Sequence, residues 1–159
     1  MIDEGITEIG NYSFAQFATL RSAKIPAGIT RIGNNAFSAC DALSVVRLPG
    51  TVKELGTNAF AHCSKLREII IPASISIIPE KAFYYSGLHS VILREGITKI
   101  GKDAFAECYK LTEMHIPKSV TQIAEQAFGG CRNMLAFTVD SENGYYKTDE
   151  VGALLTKDG

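Results

Sequence analysis

Phenylalanine recurs at a nearly constant interval along most of this chain, and that periodicity limits the fold more than any other feature. The steps are 23, 23, 23, 22 and 23 residues: Phe14, Phe37, Phe60, Phe83, Phe105 and Phe128. Two further series keep the same step: Leu20, Leu43, Leu66, Leu88, Leu111 and Met134, and Ile6, Ile29, Val52, Ile75, Ile97 and Val120. Three series in register indicate one repeated unit whose stacked copies bury a shared core.

Each unit contains a short stretch in which apolar and polar residues alternate, for example residues 66–72. A period of two predicts a strand, and a proline ends most of these stretches because proline cannot donate to a ladder. We predict parallel strands, stacked about 4.8 Å apart in a right-handed coil. Their expected positions are 22–25, 45–48, 68–71, 90–93, 113–116 and 136–139.

The rest of each unit is predicted from shorter patterns. Pairs of apolar residues three apart, beginning with Ile6 and Ile9, are expected to point inward. Glycines follow most of these pairs and are interpreted as corners with positive φ, at Gly10, Gly33, Gly56 and Gly101. Residues 34–40 are too short for a full helix, so a single helical or 3₁₀ turn is expected to place Phe37 in the core.

The predicted fold class is therefore an α/β repeat: a right-handed solenoid of about six 23-residue units. It should carry a parallel β-sheet on one face and short helical or 3₁₀ turns elsewhere. Residues 1–139 are expected to form the solenoid, and residues 140–159 a non-repeat tail or the start of a linking segment in the same domain. Residues 151–155 in this tail resemble one more strand, and we interpret the chain as a fragment of a longer protein.

The repeat unit resembles a known family. It reads L-x-x-[apolar]-x-[apolar]-P followed by [IV]-T-x-I-G-x-x-A-F-x-x-C, and this pattern is similar to the BspA-type, or Treponema-type, leucine-rich repeat. Residues 20–49, 43–72 and 97–117 carry it almost unbroken. The resemblance implies a leucine-rich-repeat solenoid from a bacterial cell-surface or secreted protein. It also implies an extracellular or cell-surface location and an adhesin-like role toward host proteins or cells.

Composition disfavours two classes of partner. The 16 basic and 17 acidic residues are scattered along the chain, whereas nucleic acids and anionic membranes are bound by clustered Lys and Arg. No stretch approaches the roughly 20 apolar residues that span a bilayer. We therefore expect no nucleic-acid partner, no direct membrane insertion by this fragment, and a monomer.

Cysteine and histidine are the residues here most often used in chemistry. The cysteines share one repeat column, in which Phe17 and Ser86 take the other places: Cys40, Cys63, Cys108 and Cys131. A spacing of 23 lacks the close pairs of zinc sites, so we predict buried reduced thiols rather than disulfides or a metal site. The histidines His62, His89 and His115 lie in three different columns. We expect no catalytic site, no metal and no cofactor.

The outward strand positions are the predicted partner surface. Val45, Ile70 and Ile92 are apolar where a spacer would be polar, and charged or ring-bearing residues surround them: Arg47, Arg67, Glu68, His89 and His115. Apolar centres with charged rims are typical of protein contact sites, although β-branched residues also simply suit strands.

Repeat four lacks one residue and carries Tyr84 and Tyr85, a second candidate site unless these tyrosines only fill the space left by the deletion. The sequence thus favours a non-catalytic binding module that recognises a protein or glycan through its exposed strand face. The alternative is a structural stalk or spacer that displays another domain.

Overall fold

Fourteen short strands and no helix are present in residues 5–157, the part of the chain that the computed structural model describes. In chain order they are β1 (Glu8–Ile9), β2 (Ser22–Lys24), β3 (Arg31–Ile32), β4 (Val45–Arg47), β5 (Glu54–Leu55), β6 (Glu68–Ile71), β7 (Ile77–Ile78), β8 (Ser90–Leu93), β9 (Lys99–Ile100), β10 (Glu113–Ile116), β11 (Gln122–Ile123), β12 (Ala136–Val139), β13 (Tyr146–Thr148) and β14 (Leu154–Thr156). Repeat one contains β1 and β2, and each later repeat contains the next two strands, up to β11 and β12 in repeat six.

The stacked repeats build three walls around the core. The even-numbered strands β2 to β12 form the strand wall, and the odd-numbered strands β1 to β11 form the second wall. The segments that carry the phenylalanines form the turn wall. The predicted positions of the six longer strands are confirmed, and they pair in parallel. The prediction of a sheet on one face was incomplete, because the second wall is also a parallel ladder. The right-handed coil stays a prediction.

The strand wall is divided into three two-stranded ladders: β2–β4, β6–β8 and β10–β12. The divisions coincide with prolines. The Arg94 N–H donates to Ile71 O at 3.1 Å and so extends the β6–β8 ladder. Pro72 occupies the equivalent position between β4 and β6, and Pro117 the one between β8 and β10. Since proline has no N–H, these two interfaces lack that bond. Pro49 also lacks it in the undivided β2–β4 ladder, so the prolines weaken these interfaces but do not by themselves divide the wall.

The second wall has one division, between β5 and β7. Elsewhere on this wall a backbone N–H at this corner donates to the preceding repeat, from Gly33 to Ile9 O at 2.8 Å and from Gly56 to Ile32 O at 2.7 Å. Gly101 and Ala124 make the same bond in repeats five and six. Pro79 stands at the next equivalent position and has no N–H to donate. The substitution of proline for glycine in repeat four therefore explains the division.

The corner glycines have a different role from the predicted one. Gly10, Gly33, Gly56 and Gly101 are not among the glycines with positive φ, so that prediction is wrong. Neighbouring repeats instead approach them closely: a Cβ on Gly56 would lie 2.3 Å from Asn34 N. Gly33 is equally confined, at 2.7 Å from Asn11 N. Glycine is required at these two corners because the preceding turn leaves no room for a side chain.

The turn wall contradicts the predicted helical or 3₁₀ turns. Each segment is a run of turns in which two residues four positions apart are left-handed, such as Asn35 at φ 54° and Ala39 at φ 56°. A left-handed residue costs about 1–2 kcal/mol and interrupts any helical run. Hydrogen bonds between repeats offset that cost, for example from Phe37 N to Ala59 O at 2.8 Å. The prediction failed because the bonds that set this conformation join different repeats.

The six phenylalanines of the series form one column of stacked rings beneath the turn wall. Consecutive centroids lie 5.1 to 5.6 Å apart, and the ring planes differ by 6° or less. The four inner rings are almost completely buried: Phe37, Phe60, Phe83 and Phe105. Such offset stacking is a favourable arrangement for aromatic pairs, and it makes the column a continuous part of the core.

Two inward predictions fail in repeat one. The side chain of Ile6 is 44% exposed, and that of Phe17, in the cysteine column, is 55% exposed. In the described structure, repeat one packs against a neighbouring repeat on one side only.

The tail covers the opposite end of the stack. Strands β13 and β14 pair antiparallel, so the extra strand expected at residues 151–155 lies at 154–156. The side-chain amide of Asn143 donates to Pro117 O at 2.8 Å and to Val120 O at 3.0 Å. The Tyr146 hydroxyl accepts the Ile123 N–H at 2.7 Å. The assignment of residues 1–139 and 140–159 to a single domain stays a prediction.

Candidate binding surfaces

An apolar strip crosses the middle of the strand wall. Ile70 and Ile92 are register partners in the β6–β8 ladder, with 48% and 45% of their surface exposed. Val45, on β4, is 52% exposed. These three residues define the apolar strip. Strand alternation produces it, because the neighbours of each exposed residue point into the core.

A groove of about 520 Å³ opens beside this strip, between β4 and β6. Val45, Arg47 and Ile70 line it, together with Glu68. A second depression shares Val45 and Glu68 and extends the groove toward the starts of the strands, where its lining adds Arg21, Ala42, Ser44, Lys65 and Arg67. The groove therefore follows the division of the strand wall at Pro72.

The groove has a basic rim, which we define as Arg21, Arg47, Lys65 and Arg67. Among residues 5–157, no carboxylate lies within 4.0 Å of these four cationic groups. Arg31 on the second wall differs, since it forms ion pairs with Glu8 at 3.3 Å and Glu54 at 3.5 Å. Glu68 is the acidic residue of the groove lining, so the rim carries an excess of positive charge.

The histidines stay separate. His89 lies immediately before β8, with its Nδ1 3.0 Å from Gly87 O. His115 lies on β10, in the same outward column as Ile92, and its Nδ1 is 3.0 Å from Thr138 Oγ1. His62 lies on the turn wall, so the structure does not bring the three together. His89 and His115 are exposed, and their contact with a partner stays a prediction.

The predicted pair Tyr84 and Tyr85 lies on the turn wall, away from the strand wall. His62 contacts both rings, with centroids 5.4 Å from Tyr84 and 5.5 Å from Tyr85. Tyr109 meets Tyr85 edge to face at 5.4 Å, and the Arg132 guanidinium lies 5.3 Å from the Tyr109 ring. We call these five residues the aromatic cluster.

Sequence reasoning missed three members of this cluster: His62, Tyr109 and Arg132. A signal was present, since His62 and Tyr109 lie 23 and 24 residues from Tyr85, close to one repeat length. Residues one repeat apart become neighbours in a stack, including those offset by one column.

The cysteine column contains four unbridged thiols. Burial is confirmed for Cys40, Cys63 and Cys108, whereas Cys131 in repeat six is half-buried. Each Sγ donates to the carbonyl of a phenylalanine in the preceding repeat, at 3.0 to 3.2 Å. Burial raises the pKa of all four, and that of Cys108 to about 12. These thiols are poor nucleophiles at neutral pH, because the thiolate is the reactive form.

Within residues 5–157, no group of three His, Cys, Asp or Glu side chains is arranged to hold a metal ion. That part of the chain also contains no helix with the length and apolarity needed to cross a membrane.

Comparison with solved structures supports the architecture. The pneumococcal vaccine antigen PcpA superposes with a TM-score of 0.85 at 23% identity, over 96% of this chain and 40% of that one. A leucine-rich cell surface protein from Faecalibacterium prausnitzii gives 0.68 at 28% identity, over 98% and 51%. A leucine-rich repeat protein from T. pallidum gives 0.58 at 24% identity, over 85% and 54%.

The chain thus spans between two fifths and about half of the length of these proteins. No curated protein sequence matches it significantly. The model of the BspA type leucine-rich repeat region matches residues 7–135 in six copies. That match covers most of the chain and coincides with the stacked repeats, and the chain therefore belongs to the BspA-type leucine-rich repeat family.

Proposed function

We propose that this chain is a non-catalytic binding module that recognises a protein or glycan through its strand wall. The observation that carries the proposal is the apolar strip, in which Ile70 and Ile92 are adjacent and both about half exposed. Alternation forces these side chains outward, but it does not require them to be apolar. Replacement by serine or lysine would leave the core unchanged.

The strip and the basic rim together resemble the anatomy of a contact site. Ile70 and Val45 line the β4/β6 groove, and Arg47 and Arg67 lie at its edges. Burying apolar surface stabilises a complex by about 25 cal/mol per Å² before association costs are subtracted. Unpaired cations contribute orientation and association rate toward an acidic partner surface, and this contribution weakens with salt.

A cell-surface or secreted location fits this role. The Faecalibacterium protein is described as a leucine-rich cell surface protein, and the pneumococcal protein as a vaccine antigen. Transfer of a surface location to this chain is part of the proposal, as is an adhesin-like role toward host matrix or cell-surface molecules. We expect the module to act as a monomer.

The test is a double substitution on the strip. Ile70→Asp with Ile92→Asp should leave the melting temperature nearly unchanged, because both side chains point outward. Binding to a panel of immobilised extracellular-matrix proteins, glycans and whole host cells should be lost for whichever partner the wild type captures. Ile77→Asp with Thr121→Asp is the matched control, since it adds the same two charges at exposed positions of the second wall.

The outcomes separate the alternatives. Unchanged affinity in the strip variant would move the site to another surface. If the wild type binds no member of the panel, the result favours a stalk or spacer that displays another domain. If the strip carries binding, Arg47→Glu should also lower affinity, with a larger effect at low salt than at high salt.

A further inference from the structure

The cations of the strand wall are concentrated in repeats one to three. Lys24, at the end of β2, continues the basic rim, and all five cationic side chains are exposed: Arg21, Lys24, Arg47, Lys65 and Arg67. In repeats four to six, neither the outward strand positions nor the residues just before the strands are lysine or arginine. The positive charge of this wall therefore lies around the β4/β6 groove.

Two of these cations stand side by side without a counter-charge. Lys24 and Arg47 are register partners in the β2–β4 ladder, whose strands lie about 4.8 Å apart. Like charges directly opposite each other destabilise a sheet, and no carboxylate of residues 5–157 lies within 4.0 Å of either group. Arg31 on the second wall has Glu8 and Glu54 as register partners and pairs with both. The repeat can thus place carboxylates beside a cation, and on the strand wall an anion from outside the chain would offset the repulsion.

A backbone bond that joins other neighbouring repeats is missing at this groove. The Ser44 N–H donates to Arg21 O at 2.9 Å, and the His89 N–H donates to Arg67 O at 2.8 Å. The equivalent bond, from Arg67 N–H to Ser44 O, is not formed between repeats two and three. Both residues line the extension of the groove. The groove therefore has, besides its charge, a donor and an acceptor of the kind through which sheet edges recognise extended peptides.

The order of side chains along the groove favours a peptide over a sulfated glycan. Arg67 lies just before β6 and Arg47 at the end of β4, so the two differ by three strand positions, about 10 Å. Val45 and Glu68 line the groove between these levels, and Ile70 lines it at the level of Arg47. A sulfated chain carries anions along its whole length and would place some of them beside Glu68 and the apolar side chains. A peptide can alternate, with carboxylates at the cations and an apolar side chain between them.

We propose that the β4/β6 groove binds an extended acidic segment of a partner protein, with an apolar side chain between two carboxylates. The inference rests on the proposed function of the strand wall and specifies the chemistry of its partner. The apolar side chain packs on Val45 and Ile70, and the carboxylates pair with Arg67 and Arg47. On an extended chain, side chains four residues apart lie on one face about 13 Å apart, a span that two long arginine side chains can meet. The preferred segment is therefore acidic–x–apolar–x–acidic.

The probe is a blocked peptide with the core Asp-Thr-Leu-Thr-Asp, titrated into the isotope-labelled 159-residue chain and followed by NMR. At low salt it should bind with a Kd on the order of 1 mM or tighter, and the amide shifts should centre on β4 and β6. Replacing both aspartates by asparagine should weaken binding about tenfold, because it removes two exposed ion pairs. Replacing the leucine by serine should weaken it by a similar factor, because it removes the apolar contact. Added salt should weaken binding of the aspartate peptide and leave the asparagine peptide unaffected.

Substitutions on the protein test the assigned contacts. Arg47→Gln with Arg67→Gln should weaken binding of the aspartate peptide about tenfold and leave the asparagine peptide unaffected. Lys53→Gln with Lys102→Gln is the matched control, since it removes two exposed cations outside the strand wall. The charge-reversed variant Arg47→Glu/Arg67→Glu should reject the aspartate peptide and bind a peptide with the core Lys-Thr-Leu-Thr-Lys. All three variants should keep the wild-type melting temperature, because the replaced side chains are exposed.

The inference fails if the aspartate peptide does not bind, or if it binds no better than the asparagine peptide. It also fails if Arg47→Gln/Arg67→Gln changes affinity no more than the lysine control does. A heparin hexasaccharide that binds more tightly than the peptide and competes with it would assign the groove to a sulfated glycan instead. Self-association of the chain that the arginine variant abolishes would assign it to a second copy. A panel partner lost by Ile70→Asp/Ile92→Asp but kept by the arginine variant would preserve the strand-wall function and overturn only its acidic partner.

Discussion

The turn wall and the strand wall differ in how completely hydrogen bonds join neighbouring repeats. Hydrogen bonds of the turn wall cross all five interfaces between the six repeats at 2.8 to 2.9 Å: Phe14 N to Ala36 O, Phe37 N to Ala59 O, Phe60 N to Ala82 O, Phe83 N to Ala104 O, and Phe105 N to Ala127 O. The strand wall is divided at two interfaces, and the second wall at one. The hydrogen bonding between repeats is therefore unbroken in the turn wall, although its left-handed residues give it the less favourable backbone conformation.

The positions of the divisions show why the stack tolerates them. Strand pairing is interrupted in the strand wall between repeats two and three and between repeats four and five. In the second wall it is interrupted between repeats three and four. No interface is open on both walls within residues 5–157. Each pair of repeats thus retains the turn-wall bonds and at least one strand ladder, so divisions that leave grooves for a partner need not separate the repeats.

The largest expected change in stability comes from removal of a stacked phenylalanine. Phe60→Ala should lower the free energy of unfolding by about 3–5 kcal/mol, because it opens a cavity in the continuous column. Phe105→Ala should have a similar effect, whereas Phe17→Ala should change stability little, since Phe17 is 55% exposed. Hydrogen exchange should show the greatest loss of protection near the substituted repeat. Uniform protection in Phe60→Ala would contradict local coupling through the stack.

A smaller effect should appear at alkaline pH. Burial raises the pKa of Cys108 from 9.0 to about 12. Between these values the unfolded chain has lost this proton and the folded chain retains it. The thiol's contribution to stability is thus fully present below pH 9 and falls by about 1.4 kcal/mol per pH unit above it. Denaturant titrations at several pH values should show a shallower alkaline loss in Cys108→Ser; parallel curves for the two proteins would be inconsistent with a buried thiol.

A smaller change in stability is expected from a substitution in the cysteine column. Cys63→Ala should cost roughly 1–2 kcal/mol through lost packing and a lost bond to Phe37 O, rather than the 2–5 kcal/mol typical of a native disulfide. Thiol titration after denaturation without reductant should count four free thiols. A count below four would show that the column forms bridges.

The smallest expected effect concerns the divisions themselves. Pro72→Ala supplies an N–H opposite Leu48 O, and the new bond should contribute about 0.5–1.5 kcal/mol. Loss of proline's restriction of the unfolded chain costs about 0.4–1 kcal/mol, so net stability should change little. The alanine amide should become protected from hydrogen exchange. Pro26→Ala is the control, since residues 5–157 contain no strand before β2 on the strand wall to accept the bond. Equal protection of both amides would argue against a new bond at position 72.

Much of the fold follows from the spacing of apolar residues. The strand wall could be placed because its strands alternate over three or four residues, as in β6 and β10. Strands of two residues, such as β3, are too short to show a period. Asn35 and Asp103 are types that favour the left-handed region, but Lys81 and Glu107 are not, so the conformation of the turn wall depends on bonds between repeats.

The candidate sites were predictable to different degrees. Outward strand positions follow from alternation alone, so Ile70 and Ile92 could be identified as neighbours. The full aromatic cluster was not identified, because His62, Tyr109 and Arg132 join the two tyrosines only through the geometry of the turns.

The contacts of Asn143 and Tyr146 have a consequence for growth of the array. A bare solenoid end displays free rungs, on which a second molecule could add and begin a fibre. Here Tyr146 accepts the Ile123 N–H at 2.7 Å, and Gly152 O accepts that of Phe137 at 2.8 Å. A seventh rung, from this chain or another molecule, would have to displace both contacts. The tail therefore occupies two of the backbone donors on which a further rung would have to pair.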